Sequence, residues 1–198
     1  MGKSAKPEII LASTSPRRIE LLKNIGIDFE IIDPCVSEEG VESDPTKYAI
    51  ENALAKASAV TSKLKRGIVI GADTIVVIED RILGKPRNQV EAKRMLELIS
   101  GRTHEVITGI AVIDVSKNMI KTASEHTEVK IRKLTISEIE AYVASGEPMD
   151  KAGAYAAQGK GALLIERING CFYNVVGLPL FRLSMILEQM DYNIIKKL

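Results

Sequence analysis

Ile9 to Leu22, IILASTSPRRIELL, passes from an apolar run through a hydroxyl-rich turn into an amphipathic helix, a strand–turn–helix step typical of α/β chains. Ile9-Ile10-Leu11-Ala12 has the pattern of a short buried strand, Ser15 suits an N-cap, and Pro16 suits the first helical position, where a missing N–H costs nothing. At about 100° per residue, Arg18 shares a stripe with Leu22 and Ile25, where a helix facing a core would carry leucine. The free N–H groups and positive end of such a helix favour an anion. Ser13, Ser15, Arg17 and Arg18 are therefore candidates to converge on one oxyanion. An arginine paired with a core-edge carboxylate explains the same pattern, and the residues alone leave both readings open.

Working outward, Gly26 can close this helix, Phe29 to Ile32 reads as a second strand, and Cys35 to Asp44 as an acidic loop with Glu38, Glu39 and Glu42. Asp44-Pro45 opens a long helix to about Lys65, with Lys56 on the flank of its apolar face. Ile68 to Ala72 is an uninterrupted buried-strand run that is expected to end at Asp73-Thr74 and resume from Ile75 to Ile78, which puts a carboxylate at a strand end. Gly84-Lys85-Pro86 presents Lys85 on defined backbone. Asn88 and Glu91 form an N-terminal capping pattern for a helix to about Ile99. His104 to Val115 and Met119 to Ile131 read as a hairpin near the centre of a mixed sheet. Ser137 with Glu140 is expected to cap the next helix, and Gly146 to Gly161 is a glycine-punctuated polar stretch. Ala162 to Ile168 reads as a strand, and Leu178-Pro179 opens the last helix.

Composition narrows the class. The chain has 198 residues, 45% hydrophobic and 27% charged, enough for one compact domain or two closely joined lobes. A net charge of +1, 4% aromatics and no Trp argue against a nucleic-acid polymer as partner. Two isolated cysteines and two histidines lack zinc-ligand spacing and fit a reduced, cytoplasmic setting. The apolar run Ile9 to Ala12 is too short for a signal-peptide core or a membrane span, so no membrane role is expected.

No P-loop, G-x-S-x-G, H-E-x-x-H or G-x-G-x-x-G occurs, and His104-Glu105 reads as a surface or loop-end pair rather than a catalytic dyad. What remains is a dispersed polar set: Ser13, Arg17, Arg18, Glu38, Lys56, Asp73, Lys85, Asp150, Lys151 and Gln158. Asp150 and Lys151 can equally pair with each other and order their loop.

LAS-x-SPRR at Leu11 to Arg18, GADT at Gly71 to Thr74, GKP at Gly84 to Pro86, SGRTHEVITG at Ser100 to Gly109, GEPMDKAGAYAAQG at Gly146 to Gly159 and NVVGLPL at Asn174 to Leu180 resemble the Maf family. These motifs span nearly the whole chain, so residues 1–198 are expected to form a single Maf-like domain. The resemblance implies an α/β fold with an elongated mixed β-sheet flanked by helices and two lobes around a central cleft, similar to the inosine triphosphate pyrophosphatases. It also implies a nucleoside triphosphate pyrophosphatase and a homodimer. By the family's pattern, Asp73 is the proton acceptor. Glu38 and Asp73 would hold a divalent metal, Mg²⁺ or Mn²⁺, and Ser13, Arg17, Arg18, Lys56 and Lys85 would contact phosphates. Arg17, Thr74 and Gln158 match the positions that separate substrates, and their identity resembles the dTTP/UTP branch. Gln158 offers a donor beside an acceptor, complementary to the O4 and N3–H edge of uracil or thymine, although guanine O6 and N1–H present the same order. A nucleotide-sensing regulator of cell division with little turnover is the alternative from another class.

Overall fold

The computed structural model describes residues 9–36 and 44–197. Its elements, in chain order, are β1 (Ile9–Leu11), α1 (Pro16–Asn24), β2 (Phe29–Ile31), α2 (Pro45–Thr61), β3 (Ile68–Ile78), β4 (Arg81–Leu83), α3 (Gln89–Ile99), β5 (Thr103–Asp114), β6 (Met119–Ile131), α4 (Ile136–Ala144), β7 (Ile165–Asn169), α5 (Phe172–Val176) and α6 (Leu180–Glu188). The strands form one open seven-stranded sheet in the order β2-β1-β3-β5-β6-β7, with β4 on β3. It is mixed: β1 runs parallel to both β2 and β3, whereas β3/β4 and β6/β7 are antiparallel. The fold is therefore α/β, as expected. No helix among the described residues is long and apolar enough to cross a membrane.

The chain divides into two compact units. The first takes the chain up to Asp73, Gly109–Ser124 and the segment from Leu180; the second takes Thr74–Thr108 and Glu125–Pro179. In the first, Ile10, Ala12, Val69, Ala111 and Ile113 of the sheet pack with Ala53, Ala57 and Val60 of α2. Two glycines let this helix lie unusually close. A Cβ on Gly71 would meet the Ala53 carbonyl oxygen at 2.2 Å, and one on Gly109 would meet the Ala49 carbonyl oxygen at 2.3 Å. The Ala49, Ala53, Ala57 stripe, spaced four residues apart, is the matching small surface on α2. In the second unit, Ala92, Leu96 and Ile99 of α3 pack with Ile139 and Val143 of α4 against Val76, Val106 and Val129 of the sheet.

Several local expectations are corrected. β3 runs unbroken from Ile68 to Ile78, so Asp73 is interior to a strand rather than at its end; Lys56 compensates the buried charge and no break is needed. α2 stops at Thr61, a turn before Lys65. The capping box of α4 is Thr135 with Glu138, two residues earlier than Ser137 with Glu140, and Glu140 instead pairs with Lys93. α5, a short helix of five residues, has no counterpart in the sequence pattern. His104 and Glu105 alternate across β5: His104 is buried beside Tyr155, while Glu105 pairs with His126.

Candidate active site

The connection β1-α1-β2 moves to one side of β1 and β2-α2-β3 returns to the other, so the order β2-β1-β3 reverses direction at β1. Right-handed crossovers then put α1 and α2 on opposite faces, and the carboxyl end of β1 is the position where α/β sheets of this order bind ligands. The Ala12 amide still donates to Ile70 O at 2.8 Å, after which Ser13 leaves the sheet level with the Gly71-Ala72-Asp73 stretch of β3. The first candidate residues thus gather here because of topology.

Ser13 is buried, and its Oγ accepts from the Ser15 amide at 3.2 Å and from Arg18 Nη1 at 3.4 Å. Ser15 is the N-cap of α1 by position, but its hydroxyl makes no capping bond. The amides of the first turn are thus not covered by their own cap, as an anion site requires. Arg17 and Arg18 are both half-buried, so Arg18 is not the cation on a buried stripe that its spacing suggests; α1 buries only Leu21 and Leu22.

Lys56 and Asp73 meet inside this unit. Lys56 Nζ lies 2.5 Å from Asp73 Oδ1, and Asn52 Nδ2 donates to Oδ2 at 3.3 Å. Asp73 is 5% exposed and Lys56 8%. The close seat of α2 on Gly71 and Gly109 brings both side chains, one helical turn apart, to one carboxylate. Asn52 was missed in the sequence, although its place four residues before Lys56 marks the same helix face. Glu38 lies outside the described residues.

Asp73 closes the first unit and Thr74 opens the second. The Thr74 hydroxyl is 2.9 Å from that of Thr108 and 3.4 Å from Gly177 O, and Thr108 Oγ1 is 3.3 Å from Asn174 O. A hydroxyl has one proton. If Thr108 gives its proton to Asn174 O, Thr74 donates to Thr108; if Thr108 donates to Thr74, the Thr74 proton goes to Gly177 O. Asn174 is wholly buried and donates to Val106 O and Thr127 Oγ1, each at 2.9 Å. Thr108 and Asn174 carry no signal that separates them from ordinary strand and helix polar residues.

Lys85 follows Gly84, whose carbonyl accepts from the Gly153 amide at 3.1 Å, so the GKP loop is tied to the glycine-punctuated segment. That segment forms three 3-10 turns, Glu147–Asp150, Ala152–Ala154 and Gly159–Leu164. Gln158 precedes the third in extended conformation. Lys151 Nζ binds Asp150 Oδ1 at 2.5 Å and Glu147 O at 2.9 Å, which orders the loop. Burial acts to raise the Glu147 carboxyl's pKa, but the Gly161 and Lys160 amides, the Tyr142 hydroxyl and the Lys151 charge outweigh it and hold it below the usual value. Burial pushes the Tyr142 and Tyr155 phenols up, so both keep their protons.

Among the described residues no three His, Cys, Asp or Glu side chains cluster as a metal set. Asp73 is nevertheless a suitable partial donor: a carboxylate has about four lone-pair directions, and Lys56 and Asn52 engage two of them. A hard cation that keeps several waters and completes its shell with phosphate oxygens needs only one or two protein carboxylates.

A family model described as "Maf-like protein" matches residues 8–190. The dTTP/UTP pyrophosphatase of Dictyoglomus thermophilum is 47% identical over 192 residues, 96% of this chain and 100% of that protein. The dTTP/UTP pyrophosphatase of Bacillus cereus strain AH820 is 53% identical over 188 residues, 94% of this chain and 97% of that protein. Among solved structures, the Staphylococcus aureus Ham1 protein is similar with a TM-score of 0.46 and 20% identity, over 63% of this chain and 71% of that one.

Proposed function

The chain belongs to the Maf family, and on that premise we propose that it hydrolyses dTTP and UTP to the monophosphate and pyrophosphate. The observation that supports this most is the buried Lys56–Asp73 pair, its carboxylate on β3, next to β1 in the sheet and in the same unit as the arginine-bearing start of α1. Water attacks the α-phosphorus and gives its proton to a remaining lone pair of Asp73 Oδ2, the oxygen that Lys56 does not engage and that also accepts from Asn52 Nδ2. The bond from the α-phosphorus to the bridging oxygen breaks, and its electron pair leaves with pyrophosphate. Lys56, bonded to Oδ1, holds the carboxylate in one orientation while it takes the proton. Ser13, Arg17, Arg18 and Lys85 bind phosphate oxygens and favour the charge that builds on the leaving group. Arg17, Thr74 and Gln158 select the base.

The residues fit a divalent cation, Mg²⁺ or Mn²⁺, with Asp73 and, by sequence pattern, Glu38 as its protein ligands. When bound, such an ion supplies Lewis acidity toward phosphate oxygens and lowers the pKa of a bound water. Residues 1–198 act as one Maf-like domain, a reading supported by a single family match across both units. A cytoplasmic setting is supported by two free cysteines, Cys35 and Cys171. A homodimer is supported by Phe181 and Met185, one turn apart on α6 and 71% and 40% exposed; sedimentation at the monomer mass under micromolar conditions would remove that part.

The test is a panel of natural and modified nucleoside triphosphates with Mg²⁺ or Mn²⁺ and detection of pyrophosphate. Release from dTTP and UTP is expected to exceed release from purine triphosphates. Binding without release from any member would favour the nucleotide-sensing regulator and end the hydrolase reading.

A further inference from the structure

Glu147 takes no part in the chemistry proposed above, yet its carboxylate is the centre of a hydrogen-bonded knot in the second unit. Oε1 accepts from the Gly161 amide at 2.8 Å and from the Tyr142 hydroxyl at 3.0 Å, and Oε2 accepts from the Lys160 amide at 3.0 Å. Two successive backbone N–H groups aimed at one anion form a concave nest of the kind that holds phosphate, and here an internal carboxylate fills it. The sequence is fitted to this closure. Gly159 has φ +67, and a Cβ there would lie 2.8 Å from Glu147 Oε2. A Cβ on Gly161 would lie 2.4 Å from Ala156 O and 2.6 Å from the Tyr142 hydroxyl. Glu147 is itself fixed from behind, since its carbonyl accepts from Lys151 Nζ at 2.9 Å and its amide donates to Ser145 Oγ at 3.4 Å.

Gln158 enters this knot one residue before Gly159, with extended backbone (φ −107°, ψ 165°). Its side chain is half-buried, and no side-chain cap bond to the turn that follows restrains it. The backbone sets the direction of its Cα–Cβ bond, from which the side-chain torsions start, and that backbone leads directly into the Lys160 and Gly161 amides that Glu147 grips. We propose that Glu147 is a positioning residue for base selection: by anchoring those two amides it sets the direction in which Gln158 presents its donor and acceptor to a pyrimidine base. This rests on the dTTP/UTP reading above. A misdirected amide mispairs with uracil's O4 and N3–H but meets cytosine, which offers the opposite order, no worse than before.

The test is Glu147→Gln, which replaces one acceptor oxygen by an NH₂ group facing a backbone N–H. The amides of Lys160 and Gly161 are expected to exchange hydrogen at least about tenfold faster, and kcat/KM for UTP to fall about tenfold through KM, the loss expected for a charged hydrogen bond. CTP turnover stays near its starting level, so the UTP:CTP ratio falls about tenfold as well. A purely structural role would slow all nucleotides alike, and an unchanged ratio with faster exchange overturns the proposal. If Glu147→Gln does not fold, Tyr142→Phe removes only the hydroxyl bond to Oε1; a ratio shifted about threefold in the same direction supports the proposal, and an unshifted one overturns it. Gln158→Ala separates the premises. If it leaves the ratio unchanged while wild-type protein releases pyrophosphate from UTP, base reading by Gln158 and this proposal both fail but the hydrolase reading stands. If wild-type protein releases none, both fall.

Discussion

Lys56 Nζ and Asp73 Oδ1 are 2.5 Å apart, and neither side chain is more than 10% exposed. A cation so placed serves the carboxylate before it serves any phosphate, whereas the family resemblance assigns Lys56 to a phosphate contact. Removing one partner of a buried pair leaves the other charged and desolvated, at a cost of about 3–5 kcal/mol. Lys56→Met is therefore expected to lower Tm by about 6–20 °C, at roughly 2–4 °C per kcal/mol for a chain of this size. It should also slow pyrophosphate release by about 10²–10⁴, the usual contribution of a general base. Asp73→Asn should be comparably slow, and the Lys56→Met/Asp73→Asn double variant more stable than the sum of the single losses predicts. Calorimetry on the three variants checks this, and a Lys56→Met protein that melts with wild type would refute the pairing.

Gly71 is the second constraint on that pair. A Cβ there meets the Ala53 carbonyl oxygen at 2.2 Å and the Ala57 amide nitrogen at 2.9 Å, both backbone atoms of α2. Neither can swing aside, so Gly71→Ala must push the helix off the strand and carry Lys56 away from Asp73. Overpacking of this kind costs about 1–3 kcal/mol or more. Gly84→Ala is the control, since a Cβ at Gly84 meets nothing within 4 Å; its stability should stay within about 0.5 kcal/mol of wild type. Equal melting of the two variants would contradict the close helix–strand seat.

What local pattern could reveal was local. Asp44 caps α2 through its own carboxylate and Asn88 caps α3, as their spacing indicates, and β6 runs from Met119 to Ile131 as read. Asp73 reads as a strand end in the sequence because a carboxylate inside an apolar run looks like an interruption; its partner sits 17 residues earlier on a helix, beyond any periodicity. The grip of Glu147 on Lys160 and Gly161, 13 and 14 residues away, is equally invisible to a reading by turns and caps. Ser13, Arg17, Arg18, Lys56 and Asp73 were legible as site candidates by residue type and motif, but their gathering in one unit depends on the strand order.

Arg18 offers a way to separate binding from folding. It is half-buried, and its bond to Ser13 Oγ is long at 3.4 Å. Arg18→Ala should change stability by no more than about 0.5 kcal/mol. KM for UTP should rise about 10–100-fold, the loss of one charge-assisted hydrogen bond to phosphate. Steady-state kinetics beside a melting curve reads both, and an unchanged KM would remove Arg18 from the phosphate site.

His104 makes stability depend on pH in a window of its own. Its Nε2 is 2.8 Å from the Tyr155 hydroxyl, its Nδ1 has no hydrogen-bond partner, and burial lowers its pKa from 6.5 to about 4. Above pH 6.5 the ring is neutral whether the chain is folded or unfolded. Between 6.5 and 4 the unfolded chain binds a proton that the folded chain does not, so stability falls as pH falls, and the loss is complete once the folded ring also charges. Integrated over that interval the loss is on the order of 3 kcal/mol, at about 1.4 kcal/mol per pKa unit. Glu138, held down to about 2 by Arg132 and by the Thr135 amide and hydroxyl, has its own loss below pH 4.5, outside most of this window. His104→Gln can still bond Tyr155 but does not titrate. Urea unfolding at pH 7.5, 6, 5 and 4.5 should therefore show a falling stability for wild type and a flatter one for His104→Gln. Parallel curves would mean that His104 is not the group that charges.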